Sequence, residues 1–185
     1  MTTYKVGYLI GSLSSTSINR KLANALIKLA PSTLSFSEIP FRDLPIYSPD
    51  YDADFPAPGK ALKEAIKAVD ALLFVTPEYN RSIPGGLKNA IDWASRKGPD
   101  DRAPLDGKTV AMMGAGGMYG TLRAQLHLRE ILSHNQTYVM ARPELMVARA
   151  GQYFDEDGRL TDEAMRLRLD RLLGSLRDWT RLVQN

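Results

Sequence analysis

Three short stretches gather the hydroxyl, amide, glycine and proline residues from which a binding chemistry could be made. The first, Gly11-Ser12-Leu13-Ser14-Ser15-Thr16-Ser17-Ile18-Asn19, carries five hydroxyl side chains and runs into a helical pattern. Free amides at a helix start, the positive end of its dipole and rotatable hydroxyls suit a phosphate. The same residue types cap helices and form ordinary loops, so plain capping stays open on composition alone. Neither Gly-x-x-x-x-Gly-Lys-Ser/Thr nor Gly-x-Gly-x-x-Gly occurs there, which weighs against the two commonest nucleotide fingerprints.

The second stretch is Pro77-Glu78-Tyr79-Asn80-Arg81-Ser82-Ile83-Pro84-Gly85-Gly86-Leu87-Lys88-Asn89-Ala90-Ile91-Asp92-Trp93. Two prolines restrain its first half, so the polar groups of Glu78, Tyr79, Asn80 and Ser82 could be held beside a planar heterocycle. Asn80 offers both donors and acceptors, and the tyrosine can pack against a ring. A plain connecting loop is the alternative. The third stretch, Gly114-Ala115-Gly116-Gly117-Met118-Tyr119-Gly120, lets backbone come close to a ligand edge around Gly116 or simply makes a tight turn.

Elements that could position these stretches follow from periodicity. Apolar runs at Tyr4 to Ile10, Leu34 to Ile39, Ala71 to Thr76, Thr109 to Met113 and Thr137 to Ala141 read as five strands. The third and fourth are apolar on both faces, as in the middle of a parallel sheet covered on each side. Helical stripes are formed by Ile18, Leu22, Leu26 and Leu29, and by Leu87, Ala90, Ile91 and Ala94. Residues 60–69 and 121–133 supply two further helices, and Met165 through Val183 a last one, with Thr161 as its expected cap. The alternation predicts a three-layer α/β sandwich, a five-stranded parallel sheet with helices on both faces. Residues 1–185 then form one domain, with surface loops around 40–58 and 98–107. In such sheets ligands lie beyond the carboxyl ends of the strands, where all three stretches fall.

Composition narrows the chemistry. With no cysteine, disulfides, thiolate metal sites and cysteine nucleophiles are excluded. The two histidines, His127 and His134, lie on one helical segment without carboxylate support and read as structural. Asp155-Glu156-Asp157-Gly158 lacks EF-hand spacing and reads as a turn. The net charge of +3 is spread among acidic neighbours, so no nucleic-acid surface is expected, though it would favour anionic ligands. No apolar leader opens the sequence and no stretch approaches the ~20 apolar residues of a membrane span, so the expected location is the cytoplasm.

Taken together, Gly11-Ser12 through Ser17-Ile18-Asn19 and the segment from Pro77 to Trp93 resemble the NADPH-dependent FMN reductase family, in its quinone, chromate and azo-dye reductase branch. The resemblance covers nearly the whole chain. It implies a flavodoxin-like fold, bound FMN, NADPH or NADH as donor, and a homodimer or homotetramer. It places the FMN phosphate against Ser12, Ser14, Ser17, Ile18 and Asn19, and the ring beside Pro77, Glu78, Tyr79 and Asn80. Many relatives carry arginine where this chain has Ser14; backbone amides, the helix dipole and Arg20 are the expected compensation, with weaker FMN retention.

The implied reaction is ping-pong electron transfer to a small acceptor such as a quinone, free flavin, azo compound or chromate. Because a flavin carries the chemistry, no catalytic side chain is nominated. Two other readings remain: a flavodoxin-type electron carrier without its own NAD(P)H oxidation, and a non-redox module that binds a nucleotide or anion. Leu122, Leu126, Leu128, Ile131 and Leu132 spread around one helix, which suggests a subunit contact beside the sheet contact.

Overall fold

A computed structural model describes residues 2–97 and 102–184. Residues 98–101, part of the loop expected around 98–107, and the two terminal residues lie outside the described residues. Strands β1 (Tyr4–Ile10), β2 (Leu34–Glu38), β3 (Ala71–Val75) and β4 (Thr109–Gly116) pair in parallel, in the order β2-β1-β3-β4. Helices α1 (Ile18–Lys28), α2 (Ala57–Lys67), α3 (Gly85–Ala94), α4 (Leu122–His134) and α5 (Glu163–Gln184) complete the alternation.

The two faces separate by the period of two that strands impose. Val6, Ile10, Leu73 and Val75 point toward Leu22 and Leu26 of α1 and Leu169 and Leu173 of α5. Their neighbours Leu9, Leu72 and Phe74 point the other way, toward Ile66 of α2, Ile91 and Trp93 of α3, and Leu128 of α4. Every residue of β3 is buried, which explains its continuous apolar run. Each fully buried leucine contributes about 1.5–3 kcal/mol over its exposed state, so the two cores outweigh any surface ion pair.

The fifth position of the sheet departs from expectation. A single strand over Thr137 to Ala141 is replaced by two short strands on the same edge of β4. In β5 (Tyr138–Val139), Val139 stands opposite Val110; in β6 (Leu145–Ala148), Leu145 stands opposite Met113. Three residues along β4 thus correspond to six along the edge, so the chain leaves the ladder between them. Pro143 has no N–H to give that ladder. Arg129 of α4 takes over the released carbonyls, donating Nη1 to Met140 O at 3.1 Å and Nη2 to Ala141 O at 3.4 Å.

A second correction concerns the cap of α5. Asp162 Oδ1 accepts from Met165 N at 2.7 Å, while Thr161 donates its hydroxyl to Tyr153 O. Aspartate is the better cap because its charge also meets the helix dipole. Residues 155–158 form a turn closed by Gly158 N and Asp155 O, and among the described residues no cluster could hold a metal ion.

Candidate functional site

The strand order reverses direction between β1 and β3, and the loops after these two strands flank that crevice. The first loop enters α1 through Ser17, whose Oγ accepts from Arg20 N at 3.3 Å. Ser14 Oγ accepts from Thr16 N at 3.2 Å and lies 3.1 Å from Thr16 Oγ1, so the exposed tip is a self-bonded turn. The amides of Ser12, Ser14, Ile18 and Asn19 donate to none of the described residues. Such a row of free N–H groups at a helix start is what a phosphate needs.

The Asn19 side chain is spent inside the fold. Its carboxamide is buried and pairs twice with Ala115 of β4, Nδ2 donating to the carbonyl at 2.9 Å and Oδ1 accepting from the amide at 2.8 Å. That bond pins the start of α1 to the sheet, and only the Asn19 backbone faces the loop. Arg20 is likewise committed. Its guanidinium grips Glu38 of β2 at 2.8 and 2.9 Å, which holds the Glu38 carboxyl below its ordinary range and corrects its expected role as phosphate compensation. Tyr8, beside them, has its phenol pushed up by burial first and by Glu38 second.

After β3, Thr76 and Pro77 are buried, with Thr76 Oγ1 donating to Pro77 O at 2.8 Å. The chain then makes a tight turn in which Tyr79 and Ser82 exchange two backbone bonds of 2.9 and 3.0 Å. Asn80 and Arg81 both take positive φ, 50° and 68°, as a primed two-residue turn requires. Asparagine adopts this readily, whereas arginine does so at a cost of about 1 kcal/mol that the surroundings must hold. Ser82 Oγ lies 3.0 Å from His127 Nδ1 of α4, and Arg81 stacks over the Tyr119 ring at 5.3 Å. His127 therefore braces this loop.

The Glu78 carboxylate is also spent on a contact within the fold. Its Oε2 accepts from Arg123 N at 2.9 Å and Ala124 N at 3.2 Å, so its carboxylate caps α4. The backbone amides of Glu78, Asn80 and Arg81 stay unclaimed by described residues and match the acceptor edge of a heterocycle. The two loops meet where Ser12 Oγ lies 3.4 Å from Tyr79 Oη. Tyr79 keeps 48% of its surface exposed, and a planar ligand could cover that ring.

Gly116 serves the third loop through space alone. A Cβ there would lie 2.3 Å from Gly120 O, and one on Gly114 would lie 2.1 Å from Thr76 O, so neither position admits a side chain. The turn from Gly117 to Gly120 folds back onto the end of β4 and leaves Met118 and Tyr119 exposed beside the Tyr79 loop.

Two contacts have no signal in the local sequence. Asn89 and Trp93 of α3 reach the segment after β2: Asn89 Oδ1 accepts from Tyr47 N at 2.9 Å, and Asn89 Nδ2 and Trp93 Nε1 donate to Pro45 O at 2.9 and 2.8 Å. Arg42, on that segment, donates Nη2 to the carbonyl of Leu13 in the first loop. Both join residues far apart in the chain, which only the fold brings together.

The family model described as NADPH-dependent FMN reductase matches residues 4–152. A 2-hydroxy-1,4-benzoquinone reductase from a Burkholderia species is 42% identical over 178 residues, covering 96% of each chain. The quinone reductase of Escherichia coli K12 is 40% identical over 181 residues, covering 95% of this chain and 93% of its own. Among solved structures, FerB, a flavoenzyme NAD(P)H:(acceptor) oxidoreductase from Paracoccus denitrificans, superposes with a TM-score of 0.88 at 37% identity over 97% of this chain and 98% of its own. With its flavodoxin-like parallel sheet and paired loops, the chain belongs to the NADPH-dependent FMN reductase family.

Proposed function

We propose that this chain is an FMN-dependent NAD(P)H oxidoreductase whose acceptor is a small molecule, a quinone first among the candidates. The observation that carries this reading is the meeting of the Ser12 and Tyr79 loops at the β1–β3 crevice, each with unclaimed amides. The phosphate rests on the amides of Ser12, Ser14, Ile18 and Asn19 and on the hydroxyls of Ser14 and Ser17. Pro77, Glu78, Tyr79, Asn80 and Ser82 would border the ring, with the Gly116 backbone of the third loop as a further contact. Glu78 and Asn80 act here through their backbone amides, and Tyr79 through its face.

When bound, FMN supplies two-electron chemistry, taking hydride from a reduced nicotinamide and yielding the electrons to the acceptor. The residues of the chain hold and orient. The turn at Tyr79–Ser82, braced by His127, fixes the ring edge, while Tyr79, Met118 and Tyr119 bound an open face that donor and acceptor use in succession. Sharing one face gives ping-pong kinetics. Free flavin, azo compounds and chromate fit the same open face as further acceptors. Because the flavin would carry the chemistry, no side chain need act as acid or base.

The whole chain works as one domain in the cytoplasm. Leu122 and Leu126 are 44% and 51% exposed on α4, beside Met118 and Tyr119, and this apolar face supports a homodimer or homotetramer. Light scattering that gave a monomer at micromolar concentration would remove the oligomer. The enzyme reading is tested by the absorption spectrum of purified protein, followed by anaerobic reduction with NADPH and with NADH. A yellow protein bleached by either nucleotide supports it. A yellow protein inert to both points to the carrier, and a protein that binds no flavin points to the non-redox module.

A further inference from the structure

The first loop must hold a phosphomonoester, which is close to dianionic at neutral pH, yet residues 11–19 contain no lysine or arginine. Free amides and a helix dipole supply only partial charges. Of the two arginines that line the groove of about 190 Å³ beside this loop, Arg20 is held by both oxygens of Glu38. The other is Arg42. Its guanidinium lies against the loop, donating Nη2 to Leu13 O, and among the described residues it pairs with no carboxylate. Arg42 lines that groove together with Ser12 and Ser14, and its guanidinium has further N–H groups to donate.

Arg42 is also held in place from both sides. Phe41 before it is buried, Ile39 N donates to Tyr8 O at 2.9 Å, and Pro45 after it is fixed by Asn89 and Trp93. An arginine carried on so short an anchored span loses little freedom on engaging a ligand. Of the neighbouring negative charges, Glu38 is neutralised by Arg20, and Asp43, next in the chain, is exposed, where solvent screens it. We infer that Arg42 supplies the full positive charge for a phosphomonoester seated on the Ser12–Asn19 loop, a role no residue of the loop itself can fill. This rests on the flavin reading above. The FMN phosphate and the 2′-phosphate of NADPH share the required chemistry, and the loop contact favours the first.

The test is a titration of flavin-free full-length protein with FMN and, separately, with riboflavin, which lacks the phosphate. For Arg42→Ala the FMN dissociation constant is expected to rise roughly tenfold, while that for riboflavin stays unchanged and the dependence on ionic strength weakens. Arg42→Lys is expected to fall between the two, and adding Ser14→Arg to Arg42→Ala to recover most of the loss, because it returns a guanidinium to the same loop. In the second arm, KM for NADPH and NADH is measured on the FMN-loaded variants. Lost preference for NADPH with unchanged FMN binding assigns Arg42 to the 2′-phosphate instead. If FMN and riboflavin weaken equally, Arg42 merely tethers Leu13 and the inference is overturned. It is also overturned if neither arm changes. A wild-type protein that bound no FMN would instead defeat the flavin reading itself.

Discussion

Replacing Asn19 by alanine leaves the N–H and the carbonyl of Ala115 buried without partners, since the carboxamide satisfies both. Each buried orphan costs about 1–3 kcal/mol, so a loss of roughly 2–6 kcal/mol is expected in urea unfolding. A loss under about 0.5 kcal/mol would mean that the pair does not anchor α1. The ion pair of Arg20 and Glu38 behaves differently, because its side chains are 41% and 36% exposed and solvent screens it. Hydrogen bonds from Arg20 lower the Glu38 carboxyl below its ordinary 4.5. A carboxyl lowered on folding stabilises fully above its unfolded value, and that contribution fades as pH falls through the folded one. Glu38→Gln is therefore expected to flatten the fall of stability below about pH 4.5 while changing neutral-pH stability by less than ~1 kcal/mol. Chemical denaturation across that range checks both parts.

At the scale of elements, the site is assembled by contacts between loops and the helices that follow other loops. Glu78 caps α4, His127 braces the Tyr79 turn, and Asn89 holds the segment that carries Arg42. Asn89→Ala removes the acceptor of the Tyr47 amide, whose hydrogen exchange is expected to quicken roughly tenfold while the amides of β3 keep their protection. Unchanged exchange at Tyr47 would show that the segment is held by other means. Much of this level was legible beforehand: β3 and β4 announced themselves by unbroken apolar runs, and α1 and α3 by their stripes. The division of the fifth position into β5 and β6 was hidden, because Leu145–Ala148 is too short to show a period and its pairing depends on β4. The roles of Glu78 and Asn19 were hidden for a related reason. A carboxylate or carboxamide in a binding motif looks the same in sequence whether it meets a ligand or a neighbouring helix.

For the molecule as a whole, the strand order and the two cores place the Ser12 and Tyr79 loops on either side of one crevice, and family membership supports the proposal that FMN sits there. The motif from Pro77 to Trp93 was readable because it resembles the family's, and because its prolines restrain the loop. Arg42 was not, since it joins a loop 29 positions away. The most direct measurement is stopped-flow absorbance of the FMN-loaded protein, mixed anaerobically with NADPH and then with a quinone. The expected result is bleaching of the flavin band by NADPH alone, followed by its full return on adding the quinone. A band that keeps its intensity in excess NADPH and excess NADH, from protein that holds FMN stoichiometrically, would contradict an oxidoreductase built on this crevice.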